Sequence, residues 1–105
     1  MAWIYLLVAG VFEIAWAIGM KYTEGFTKLI PSIITLGAMA LSVYLLSLAT
    51  KEIPIGTAYA VWTGIGIAGT SILGIFLFNE SIEVLKVVFI SMILIAIVGL
   101  KVITN

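Results

Sequence analysis

The sequence predicts an all-α membrane protein with four transmembrane helices per chain, and three observations lead there. Apolar residues make up 64% of the 105 positions and charged residues only 10%, at a mean hydropathy of +1.33, which leaves too little polar surface to coat a soluble globule. The charged side chains fall in clusters, and the apolar runs between them approach the roughly 20 residues a helix needs to cross about 30 Å of hydrocarbon. Those runs are continuous, whereas membrane strands would alternate every second residue over about ten. Only helices and closed barrels satisfy their backbone groups in lipid. A chain of this length has room for four short-looped spans in one domain, residues 1–105.

Composition also excludes function classes. Five basic and five acidic side chains cancel, so no basic face is available to neutralise nucleic-acid phosphates. Cysteine and histidine are absent, which rules out a disulfide framework and a thiolate metal site. No cofactor, no metal and no enzymatic reaction are expected.

The first span covers about residues 3–20. The opening MAWIYLLVAG has no basic n-region and no convincing cleavage site, so it reads as a span and not as a removable signal peptide. Lys21, Glu24 and Lys28 in KYTEGFTK close it, with Gly25 supplying the turn chemistry. The second span, residues 29–49, carries Pro31 in its first turn, where a missing N–H costs little, and ends at TKEIP. The third follows Pro54 over residues 55–78 and ends at NESIE, which holds Glu80 and Glu83. The fourth covers residues 84–103. A GxGxxG match at Gly64, Gly66 and Gly69 falls inside the third span, where the strand that a dinucleotide site needs is missing. Small residues that let helices approach closely explain it better.

Lysines set the orientation of short-looped membrane chains, and here they barely choose. Lys21, Lys28 and Lys86 lie on the side of loops one and three, Lys51 and Lys101 on the other. Such a chain is expected to insert both ways, giving antiparallel partners in one membrane.

One charge breaks the pattern. Glu13, in VFEIAWAI, lies about ten residues from each end of its span, and an ionised carboxylate facing lipid there would cost several kcal/mol. It must face protein or a water-filled cavity; the structural alternative is a protonated acid that only glues helices. Leu6, Ala9, Gly10, Trp16, Ala17 and Met20 share its helix face by spacing. Ala9, Gly10 and Ala17 leave volume around the carboxylate, and the Trp16 indole N–H, one turn on, can donate to it. Trp3 reads as an interfacial anchor. The third span adds TAYAVWTGIG, in which Tyr59, Trp62 and Thr63 fall on one face and divide evenly between packing and site. Ser42 can satisfy itself on its own backbone and matters only if it reaches Glu13.

Four short helices can hardly surround a central cavity, and one chain supplies one carboxylate. A homodimer supplies two, which titrate as a unit. Protons and a cation then compete for the same charge, the minimal chemistry of a proton-coupled antiporter.

FEIAWAIGMKYTEGFTKLIPS and IPIGTAYAVWTGIG, in that order on four spans, resemble the small multidrug resistance family of bacterial inner-membrane transporters over essentially the whole chain. Tryptophan three residues after the glutamate, and Lys101 in VGLKV, resemble its guanidinium-exporting branch. The resemblance implies an antiparallel, dual-topology homodimer in the bacterial inner membrane that exchanges guanidinium for protons. Glu13 would bind proton or cation, Trp16 and Ser42 would orient it, and Tyr59 and Trp62 would line the site, with Thr63, Gly10 and Lys101 secondary. The fourth helix, with Ser91 and Gly99 on one face, would hold the dimer. Guanidinium suits such a site: it is planar, carries a fixed charge and fits a carboxylate bidentately, while aromatic faces add cation–π attraction.

Three alternatives remain open at this stage. Broad export of hydrophobic quaternary ammonium compounds is the same-class rival, opposed by the bulk of Trp16. A proton-conducting rotor subunit would have about two spans, and a heterodimeric partner subunit would not need the full set of glutamate, tryptophan and tyrosine.

Overall fold

The computed structural model of the chain describes residues 1–104, and helices carry almost all of it: α1 (Ala2–Tyr22), α2 (Leu29–Ala49), α3 (Ile55–Leu77) and α4 (Val84–Thr104). All four are long and apolar enough to cross a membrane. Each begins or ends where the charges predict, because the charged clusters between the apolar runs belong outside the hydrocarbon.

The first loop is more built than its turn residues suggest. Thr23 is fully buried; its hydroxyl donates to the Met20 carbonyl at 2.7 Å and accepts from the Phe26 N–H at 3.1 Å. Its own carbonyl takes the Thr27 and Lys28 amides. One side chain thus caps α1 and aims α2. Gly25, at φ 74°, sits between Glu24 and Phe26, which also adopt positive φ, a left-handed stretch that glycine enters without a Cβ penalty.

The helices lie nearly in a row. α1 packs against α2 on one side and α3 on the other, α4 packs on α3, and α2 touches α3 only marginally. The Cα positions extend 41 × 34 × 17 Å. A thickness of 17 Å is less than two helix diameters of about 10–12 Å each, so the chain is a slab and encloses no central chamber. Among the described residues, α4 has no buried position.

Packing is uneven along the slab. The densest cluster, Leu6 and Ala9 of α1, Ala49 and Ile53 around the end of α2, and Val61 and Trp62 of α3, is buried to 9% exposure or less. It occupies the half nearer the second loop. α1 and α3 run in the same direction, and toward the first and third loops they are separated by two cavities.

The glycines of the GxGxxG stretch in α3 divide between its neighbours. A Cβ at Gly64 would lie 2.8 Å from Ile97 Cδ1 of α4, whereas a Cβ at Gly66 or Gly69 would overlap Glu13 or Ile14 of α1. The GxGxxG spacing therefore serves close helix approach, with its first glycine facing one partner and its second and third facing the other.

Candidate functional site

Glu13 sits near the middle of α1, and its side chain extends over the bare backbone of Gly66. It lines a cavity of about 210 Å³ with Ala17, Gly66, Ile67 and Thr70. Glu13 Oε1 is buried and has no hydrogen-bond partner within the chain. Desolvated oxygens without partners are costly, so this carboxyl is arranged for something other than the stability of one chain.

One turn below lies a second polar group. Trp62 Nε1 of α3 donates to Ser42 Oγ of α2 at 2.9 Å, and Ser42 Oγ donates to the Ala9 carbonyl of α1 at 2.6 Å. Ser42 is fully buried and Trp62 nearly so. A single hydroxyl, used as both donor and acceptor, thereby joins three helices. The relay ends on the carbonyl that, by α-helical pairing, also takes the Glu13 amide. The Tyr59 ring lies 5.6 Å from that of Trp62, tilted by 41°, and Tyr59 is 57% exposed on the slab face.

These contacts differ from several expectations. Trp16 Nε1 is buried and unpartnered, so it does not donate to Glu13 within the chain: one-turn spacing puts an indole on the right face but does not aim its N–H. Ser42 reaches the α1 backbone and Trp62, and makes no bond to Glu13. Gly10 leaves no space for the carboxylate, because Ile65 fills it, 2.7 Å from where a Cβ would stand. Thr63 Oγ1 is buried without a partner. Lys101 lies at the other end of α1, its Nζ 5.3 Å from the centre of the Trp3 ring, in a separate cleft of about 480 Å³ between α1 and α4. Trp3 is ten residues from Glu13, about 15 Å along the helix, so Lys101 is not part of the Glu13 cavity.

Two contributors escaped the sequence reading. Gly66 provides the seat for Glu13, and Thr70 shares its cavity. The signal was present in the four-residue spacing of Gly66, Thr70 and Gly74, which puts a hydroxyl between two small residues on one face.

Four membrane-length helices, with the one acid inside a helix set beside its own cavity, define a small multi-pass membrane protein that keeps a titratable group within the bilayer. Residues 1–95 match the family model described as Small Multidrug Resistance protein, and the chain belongs to that family. Relatives named guanidinium exporter include one from Yersinia pseudotuberculosis, 58% identical over 101 residues, covering 96% of this chain and 97% of the relative. One from Proteus vulgaris is 55% identical over the same span. Another, from Salmonella typhimurium, is 52% identical over 105 residues and all of both chains.

Proposed function

We propose that this protein exports guanidinium across the bacterial inner membrane in exchange for protons, and that it works as an antiparallel, dual-topology homodimer. The observation that carries the reading is Glu13 Oε1, buried in mid-span beside a cavity with no partner of its own. A carboxylate so placed binds one cation at a time. A proton neutralises it, guanidinium neutralises it through paired N–H donors, and exchange of one for the other is antiport. The names of the relatives supply the substrate.

The slab shape supports a pair. One chain of 17 Å thickness encloses no chamber, Tyr59 and most of α4 are exposed, and three lysines face two across the membrane. Two copies in opposite orientation would close a chamber around both Glu13 side chains.

The test is guanidinium uptake into sealed vesicles with and without a pH gradient. Uptake should be accelerated by an inside-acid gradient and inhibited by lowering the pH on the guanidinium side, because protons compete for the same carboxylate. Uptake indifferent to both would refute proton exchange. Stronger competition from a polyaromatic quaternary ammonium ion than from guanidinium would favour the broad-exporter reading.

A further inference from the structure

Three hydroxyls in these helices are satisfied by their own backbone. Ser32 donates to the Lys28 carbonyl, Ser47 to Tyr44 and Ser91 to Val87, the usual solution for a hydroxyl in an apolar helix. Thr35, Thr63 and Thr70 do not follow, and of these three Thr70 is the one that lines the Glu13 cavity. Its Oγ1 is buried with no partner, its own preceding turn included.

Its position explains what it faces. The Glu13 cavity and a second one, about 160 Å³, lie end to end between α1 and α3, and Ala17 and Thr70 line both. The second is bounded by Lys21, Ser71, Gly74 and Glu80, so it reaches the charged third loop. Glu80 is held there by its amide on the Gly74 carbonyl and by Lys86 at 3.5 Å. Lys21 stands over the Phe78 ring, 5.0 Å from its centre. Lys21 is eight residues from Glu13, about 12 Å along α1. In the opposite direction Leu6, Ala9, Val61 and the Trp62–Ser42 relay are buried in the core.

We propose that the groove between α1 and α3 is a hydrated path joining Glu13 to the membrane face that carries Lys21 and Glu80, with the Thr70 hydroxyl as its polar step. Water in the groove would give Thr70 Oγ1 the partner it lacks; a dry groove would leave that oxygen and Glu13 Oε1 both unsatisfied at a cost hydrogen-bonding groups seldom bear. The path rests on the reading that Glu13 is where proton and cation bind, and it gives that site its route to one face.

The chain has no cysteine, so a single introduced thiol can report on the groove without background. A charged methanethiosulfonate reagent reacts with the thiolate, which requires water. In open membrane fragments, Thr70→Cys should be modified at least about tenfold faster than Ile95→Cys, whose site is 70% exposed on the membrane-length apolar helix α4. Ser71→Cys, the next residue along the path, should behave like Thr70→Cys and covers the case in which Thr70→Cys misfolds. Modification of both at the Ile95→Cys rate would overturn the hydrated path. The labelling is expected unchanged when Glu13→Gln is added, so failure of the Glu13 reading and failure of the path give different results. For the hydroxyl itself, Thr70→Val should slow guanidinium exchange by about tenfold, the worth of one hydrogen bond, and Thr70→Ser should restore it. Exchange by Thr70→Val at the parent rate would remove Thr70 from the path.

Discussion

Replacing Gly66 with alanine adds one methyl group, and its effect can be worked out from the packing. A Cβ at that position would overlap the Glu13 carboxyl, and even Glu13 Cγ would lie only 3.0 Å away. The carboxyl must then rotate out of its cavity, or α1 and α3 must part. Overpacking of this kind costs about 1–3 kcal/mol, which corresponds to a loss of about 5- to 150-fold in guanidinium affinity if Glu13 pays it. Helix propensity acts in the opposite sense, since alanine is favoured over glycine by about 1 kcal/mol in a helix interior. Stability should therefore change little while binding falls. The assay is guanidinium-induced proton release from purified protein, with unfolding followed in parallel. Gly37→Ala, where a Cβ would meet nothing within 4 Å, is the control and should bind like the parent. Gly66→Ala with the parent's affinity and exchange rate would refute the claim that the Gly66 backbone seats Glu13.

Glu13→Gln should fold normally and lose proton-coupled guanidinium flux, because the amide keeps the shape but cannot exchange a proton; retained coupled flux would end the antiport mechanism. Ser42→Ala leaves Trp62 Nε1 buried without its acceptor and should lower stability in detergent by about 1 kcal/mol, and an unchanged unfolding midpoint would show that the three-helix relay contributes nothing. Trp16→Gly should enlarge the space beside Glu13, so that polyaromatic quaternary ammonium ions inhibit guanidinium uptake better relative to small ones; an unaltered ranking would make Trp16 mere packing. Two lysines added to the second loop should fix the chain in one orientation and abolish activity until an oppositely biased copy is co-expressed, and full transport by a single fixed orientation would rule out the antiparallel pair.

The four helices were legible because lipid imposes a simple rule: charges stay out, and Lys21, Glu24, Lys51, Glu52, Glu80 and Glu83 mark where each run stops. Glu13 was legible for the same reason, as the one violation. What could not be read was azimuth. Spacing put Trp16 and Gly10 on the face of Glu13, yet the Trp16 N–H bonds to nothing within the chain and Gly10 admits Ile65; both depend on the rotation of α1 against α3, which no periodicity fixes. Ser42 was ambiguous between self-satisfaction and a site contact and took a third course, bridging Trp62 to the Ala9 carbonyl. The three glycines of the GxGxxG stretch announced close approach without saying to which neighbour. Thr23 was hidden because a buried threonine in a loop resembles any other turn residue until its hydrogen bonds are drawn.

A slab 17 Å thick leaves most of its apolar side chains on its own outer surface. In water that would force immediate association, but lipid tails are as apolar as the side chains, so hydrophobicity does not drive these chains together. The proposed pairing would then depend on shape, on a few polar contacts and on mass action within the plane of the membrane. The relevant concentration is chains per lipid. If the pair is the working unit, specific activity should fall as protein is diluted into added lipid, and expression level would then control transport without any change in the protein itself.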